Sequence, residues 1–293
     1  MLPPRLSILP AFVREFASRR TLPREPEPDL VMDSPQEVEA YTAAGRTNGI
    51  MAASYLFNTA RISQVIQGAR EVIDLACGPA TQLVQIAELN PTIQFHGIDL
   101  SQSMLEQAQA HIDERGLKNV RFTVGDITRL DMIETSSADA VISTMALHHL
   151  PTLRHLQNCF SEIRRVLKPD GAIYLVDFGR FKSLKTAIFF AYLDARSAPH
   201  LFLLDYERSL RAAFTADDLR NTAAKFLPDE SKAFCTFMVP MLVMVKTADR
   251  ELPVPIKSRL IQMRAEMPWR YRRDLDSMRI FLGLGGLGND PFA

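Results

Sequence analysis

Three acidic residues, each closing a short apolar run, are the groups in this chain best placed to act on a bound ligand. Glu71-Val-Ile-Asp-Leu-Ala-Cys is β-branched and apolar around Asp74 and ends in a turn built on Gly78-Pro79-Ala80. Ile93 to Ile98 ends in Asp99, and Val120 to Val124 ends in Gly125-Asp126. After the first turn, Leu83, Val84, Ile86 and Ala87 follow helical spacing. A strand, a small-residue turn and a helix present helical backbone N–H groups to a nucleotide-like ligand. Carboxylates at the strand ends are then placed to accept hydrogen bonds from ribose hydroxyls and an adenine amino group. Two further groups suit proton transfer. His148-His149 follows a fourth apolar run, and imidazole is a base near neutral pH, although Leu-His-His-Leu reads equally as a structural turn. Asp177 closes a fifth run, where it is suited to bind a substrate amine or accept a proton.

The elements that must position these groups alternate along the chain. Ser101 is a good helix N-cap, and the helix it opens carries Met104, Leu105, Ala108 and Ile112 and stops at Gly116. The fourth strand is expected over Ala138 to Ser143. Leu153, Leu156, Phe160, Ile163 and Leu167 then mark a helix ending at Lys168-Pro-Asp-Gly, and a fifth strand runs from Ala172 to Val176. Strands alternating with helices predict an α/β protein with a doubly wound parallel sheet and right-handed crossovers. Residues 178–214 break this alternation and are rich in aromatics, among them Phe178, Phe190, Phe202 and Tyr206. They are expected to pack as extra helices, or to wall an apolar pocket beside the ligand.

Asp74-Leu-Ala-Cys-Gly-Pro-Ala, Gly97-Ile-Asp-Leu-Ser, Val124-Gly-Asp-Ile and Leu147-His-His-Leu, in this order, resemble the motifs of class I S-adenosyl-L-methionine (SAM)-dependent methyltransferases, most nearly the type 11, ubiquinone-biosynthesis-like group. The sequence departs from the family's glycine-rich turn at Ala76 and Ala80. Alanine permits a fairly close backbone approach but pays for a positive φ. The resemblance implies a seven-stranded, mostly parallel Rossmann-like sheet with a helical cap, finished by an antiparallel hairpin over Ala233 to Val239 and Met241 to Lys246. SAM is the implied cofactor. The implied cofactor residues are Asp74, Ala76, Gly78, Asp99, Leu100, Met104, Gly125, Asp126, Ile127 and Thr144. Of these, Asp99 serves the ribose, Met104 covers the adenine, and Asp126 with the Ile127 N–H reads the adenine edge.

His148, Asp177 and Tyr41 are the catalytic candidates, with Asn48, Tyr55 and His149 facing the substrate. No metal-ligand spacing occurs, and adjacent histidines diverge on a turn. The expected organisation is an arm and linker over residues 1–32, a SAM-binding domain over 33–247 capped by about 33–67 and 178–214, and an extension over 248–293. The implied reaction is methyl transfer to a small molecule. Transfer or cyclisation of the aminobutyrate arm, with release of methylthioadenosine, needs the same cradle, and a non-catalytic SAM-binding module is the remaining alternative.

Composition narrows the partners. In 293 residues, Lys plus Arg equals Asp plus Glu at 34 each, which disfavours nucleic acid as the main partner. Cys77, Cys159 and Cys235 are far apart with no CxxC pair, and read as reduced thiols of a cytoplasmic protein. The stretch Leu6 to Val13 is too short for a membrane span, and Ser18-Arg19-Arg20 is followed by prolines rather than an apolar export segment. The arm is expected to pack inward through Leu6, Leu9, Phe12 and Phe16. Trp269 with Arg270, Arg272 and Arg273 reads as a solvated helix face or a homodimer contact, and Gly283-Leu-Gly-Gly-Leu-Gly as a flexible end.

Overall fold

The computed structural model describes residues 1–28, 49–195 and 198–293. Tyr41 and Asn48 lie outside the described residues, as does the first part of the cap expected over about 33–67. Seven strands, β1 (Glu71–Leu75), β2 (Gln94–Asp99), β3 (Val120–Val124), β4 (Ala138–Thr144), β5 (Leu167–Phe178), β6 (Lys232–Cys235) and β7 (Leu242–Lys246), form one sheet. Their order is β3-β2-β1-β4-β5-β7-β6, and β7 runs antiparallel to both its neighbours. β1 therefore sits between β2 and β4 and the strand order reverses there, so a crevice opens beyond its carboxyl end.

The central strands β1 and β4, the later part of β5, and β7 are buried on both faces because both faces are covered, whereas the edge strands β3 and β6 are half-exposed. Alternation along β4, β5 and β7 sends Ala140, Ile142, Tyr174, Val176 and Met244 to one core. Val141, Ile173, Leu175 and Val245 go to the other. The first core is closed by α2 (Ala52–Val65), α3 (Thr81–Leu89) and two C-terminal helices, α9 (Val254–Glu266) and α10 (Trp269–Leu284). The second is closed by α5 (Leu153–Val166) and α8 (Ala216–Phe226). α5 turns Leu156, Cys159, Phe160, Ile163 and Val166 inward; of the positions read from the sequence, Leu153 is exposed and Leu167 opens β5 instead of closing the helix. Burying one such large side chain contributes about 1.5–3 kcal/mol. α4 (Gln102–Arg115) is capped by the Ser101 hydroxyl, which accepts from the Met104 N–H, and ends at Gly116 in the left-handed conformation. α8 opens with a full capping box between Thr215 and Asp218.

Three expectations change. The antiparallel hairpin pairs only over Lys232–Cys235 and Leu242–Lys246, because Thr236 turns back on itself and its hydroxyl donates to the Val239 carbonyl at 2.6 Å. The end of the chain is packed rather than loose. Gly285 to Gly288 terminate α10 in a Schellman-type cap, with Gly286 at φ +93° and the Leu287 N–H on the Leu282 carbonyl at 2.9 Å. Leu287 is buried, and the guanidinium of Arg61 in α2 donates to the carbonyls of Gly288 and Asn289. The arm forms α1 (Leu9–Ala17), but only Phe12 of the four expected residues turns inward, against Phe281 at 5.1 Å. Leu6 and Phe16 are 80% and 79% exposed. Trp269 is also exposed, with the Arg273 guanidinium 5.1 Å from its ring. No helix among the described residues is long and apolar enough to cross a membrane.

Candidate active site

The turn after β1 is where the sheet meets its ligand crevice. Ala76, Gly78 and Ala80 all take positive φ, at 54°, 53° and 55°. Only the glycine does so without strain, and a non-glycine residue pays about 1–2 kcal/mol for this conformation. Two alanines therefore hold a backbone shape that the sequence had suggested they would resist. Asp99 fixes that shape: one carboxylate oxygen accepts from the Gly78 N–H at 2.7 Å and the other from the Ser101 N–H at 2.9 Å. Each oxygen keeps a second lone pair.

A cavity of about 220 Å³ lies over this turn. Asp74, Ala76, Gly78, Asp99, Leu100, Met104, Gly125, Asp126, Ile127 and Thr144 all line it, together with Tyr55 and His149. Asp126 is exposed and closes its own turn by accepting from the Thr128 N–H at 2.7 Å. Burial, and then the neighbouring Asp99, push the Asp74 carboxyl well above the usual carboxylate range. Burial likewise raises Asp99. Two carboxyls held so in one cavity favour a cationic ligand. At the start of α3 the buried Thr81 hydroxyl and Gln82 Nε2 lack hydrogen-bond partners among the described residues, while Gln82 Oε1 accepts from Thr144 at 3.1 Å. These orphaned donors line the same cavity, so it offers anion-binding groups opposite its acids. An amino acid joined to a cationic nucleoside fits this donor and acceptor set.

A second, mostly apolar cavity of about 300 Å³ adjoins the first and shares Tyr55, Met145 and His149 with it. Phe178, Phe190, Phe202 and Tyr206 from the aromatic segment form one wall. They belong to α6 (Leu184–Ala191), α7 (His200–Ala212) and the end of β5. Arg5, Ile8 and Phe12 from the N-terminal arm, and Asp274, Met278 and Phe281 from α10, close the rest.

The histidine pair sits at the boundary, in a 3₁₀ turn over Leu147–His149. The buried Asp177 accepts from His148 Nδ1–H at 2.6 Å, from the His148 backbone N–H at 2.7 Å and from the Phe178 N–H at 2.6 Å. Asp177 is not among the residues lining either cavity; its carboxylate is enclosed and holds His148 by its ring and backbone N–H groups. Burial opposes the His148 cation, but the charge and hydrogen bond of Asp177 outweigh it and raise the pKa above its ordinary value. His148 faces the apolar cavity only, whereas His149 borders both. The two rings do not diverge; their centroids lie 4.2 Å apart.

Sequence reasoning missed the partner of His149. Glu27, from the proline-rich linker, accepts from His149 Nδ1–H and from the Ser209 hydroxyl. Burial would raise the Glu27 carboxyl, yet the His149 hydrogen bond, both imidazole charges and Ser209 hold it at about 2. Ligating atoms of Glu27, His148 and His149 lie within 4.8 Å of one another, so three groups converge where the sequence showed only an adjacent pair. Arg24 straps the linker down by donating to the carbonyls of His148, Leu150, Pro151 and Ala212, with its guanidinium 4.0 Å from the Phe214 ring centroid. Leu-Pro-Arg-Glu-Pro-Glu-Pro reads as extended chain, and its one Arg and two Glu among prolines were the signal on offer.

A doubly wound sheet in this order, with acids at the ends of β1 and β2 and after β3, is the architecture that the sequence resemblance implies. Comparison with known proteins points the same way: residues 66–200 match the sequence profile described as "Methyltransferase domain". A demethylmenaquinone methyltransferase of Leptospira interrogans is 29% identical over 123 residues, covering 42% of this chain and 48% of that protein. A sterol 24-C-methyltransferase of Gibberella zeae is 30% identical over 128 residues, covering 42% and 30%. The chain thus spans about half the length, or less, of these relatives. The plantazolicin methyltransferase BpumL, solved in complex with SAH, superposes with a TM-score of 0.54 at 12% identity, covering 82% of this chain and 94% of its own, a likeness of fold.

Proposed function

We propose that this protein transfers the methyl group of SAM to an apolar small molecule seated in the chamber beside Tyr55, Met145 and His149. The observation that carries this reading is the shared wall: the acid-lined cavity and the apolar one have those three residues in common. SAM supplies an activated methyl group on its sulfonium, so the protein's work is alignment and exclusion of water. Asp74 and the Thr81–Gln82 pair would hold the amino-acid portion, Asp99 the ribose and Asp126 the adenine, with Leu100 and Met104 against the rings. Relatives named for a demethylmenaquinone and a sterol suit a chamber of this apolar lining. Glu27 takes the Nδ1–H of His149, which leaves Nε2 as the basic nitrogen to receive a proton from the acceptor's O–H or C–H. Cys77, Cys159 and Cys235, all free thiols, support a cytoplasmic setting.

Incubation with SAM and a reduced naphthoquinone bearing an apolar tail is expected to yield S-adenosylhomocysteine and methylated acceptor, read by mass spectrometry. Methylthioadenosine as the nucleoside product would refute methyl transfer. Asp99→Ala is expected to weaken SAM binding by about 1–3 kcal/mol, through loss of a charge-assisted hydrogen bond. Calorimetry giving the wild-type affinity in a folded variant would reduce Asp99 to a turn-holding residue. Glu27→Gln is expected to lower kcat about tenfold to a hundredfold and to displace the acidic limb of the pH–rate profile, with SAM affinity unchanged. An unaltered profile and kcat would show that Glu27 only fastens the linker.

A further inference from the structure

The 3₁₀ turn Leu6–Ile8 and α1, which follows it directly, present a face that the described residues leave uncovered. Leu6, Leu9, Val13 and Phe16 recur at helical spacing and are 80%, 56%, 69% and 79% exposed. The orientation is fixed, because the opposite face is anchored: Ala11 is fully buried, and the buried Glu15 carboxylate accepts from the Lys182 and Ser183 backbone N–H groups ahead of α6. α6 packs against α1 and adds exposed Leu184 and Ile188.

The exposed charges that follow α1 and flank α6 are basic, whereas Asp194 and Asp274, near Leu6, are paired to Arg5. Glu15 is the only acidic residue among residues 1–24, and it points inward. Arg19, Arg20, Lys182 and Lys185 are exposed, on a chain whose formal net charge is zero. An apolar stripe with a basic rim is complementary to an anionic lipid surface, and it would set like charges together if two copies of α1 met. The same helix separates this surface from the apolar chamber, since Ile8 and Phe12 line the chamber from its inner side.

We propose that α1 and the turn leading into it are an interfacial anchor that lays Leu6, Leu9, Val13 and Phe16 into the surface of an anionic bilayer. The docking stands on the helix alone; only its purpose, delivery of an apolar acceptor from lipid to chamber, rests on the methyltransferase reading. The test is sedimentation of the full chain, without SAM or acceptor, with phosphatidylcholine vesicles that do or do not contain phosphatidylglycerol. The protein is expected to sediment with the anionic vesicles and to be released by added salt. Leu6→Ser/Val13→Ser/Phe16→Ser should lower the partition about a hundredfold or more. Arg19→Glu/Arg20→Glu should lower it about tenfold. Both variants alter exposed side chains outside the two cavities and should keep the wild-type melting temperature and SAM affinity. Wild-type protein left in the supernatant with both compositions would overturn the proposal, as would a triple variant that sediments like the wild type. A dimer that the triple variant splits, without vesicle binding, would give the stripe to a second copy and overturn it equally.

Discussion

Asp177→Ala is expected to destabilise the protein by about 3–5 kcal/mol, the cost of removing one member of a buried ion pair. His148 is 2% exposed, and Asp177 supplies both the acceptor for its ring N–H and the acceptor for its backbone N–H. The alanine variant strands both donors in the interior. The pair also predicts a pH dependence with a definite sign. Asp177 raises the His148 pKa above its unfolded value, so the folded state binds the proton more tightly than the unfolded chain. The stability gained is fully present below the unfolded pKa of about 6.5 and is lost as pH rises through the higher folded value. Urea unfolding on either side of that window should show the wild type more stable on the acidic side. Asp177→Ala should lose that preference, because His148 must then be neutral to stay buried. If the variant keeps both its stability and the wild-type slope, His148 is held by something other than Asp177. Because Asp177 reaches neither cavity, SAM affinity should fall less than stability does.

The same pair marks where sequence reasoning reached and where it stopped. β1 to β5 were legible because each is a short apolar run closed by a polar residue or a turn, and each run ended within a residue or two of the observed strand end. The acids that line the cofactor cavity were legible for the same reason: Asp74, Asp99 and Asp126 occupy the ends of those runs, and backbone topology alone brings strand ends together. Asp177 was found at the end of its strand, but its burial was not, because that depends on a turn 29 residues earlier folding over it. The linker was harder still. His149 and Glu27 are separated by 122 residues, and extended proline-rich chain carries no periodicity to say which surface it crosses. The tail shows the converse error. Gly283-Leu-Gly-Gly-Leu-Gly looked flexible as composition, yet a glycine at left-handed φ followed by a buried leucine is how a helix stops against a core. What decided its order was Arg61, 227 residues away from Gly288.

Gly78→Val is expected to leave a folded protein with SAM binding reduced a hundredfold or more, the steepest functional loss from any single change argued for this site. At φ +53° a side chain is strained wherever it sits, by about 1–2 kcal/mol and somewhat more when β-branched. Yet a Cβ built on Gly78 meets no atom within 4 Å, so the valine does not clash with the protein itself. The space it enters is the cavity between Asp74, Asp99 and the start of α3, which the cofactor would fill. Strain and occlusion must be separated, and Gly116 allows it. This glycine caps α4 at φ +64°, and a Cβ there also meets nothing within 4 Å, but it lies outside both cavities. Gly116→Val therefore carries the backbone penalty alone. Both variants should melt a few degrees below the wild type, since about 1–2 kcal/mol shifts Tm by that order in a chain of this size. Only Gly78→Val should lose calorimetric SAM binding. Equal affinities in the two variants would mean that the turn is a strained connection and no more, and the cofactor would have to be sought elsewhere along the carboxyl edge of the sheet.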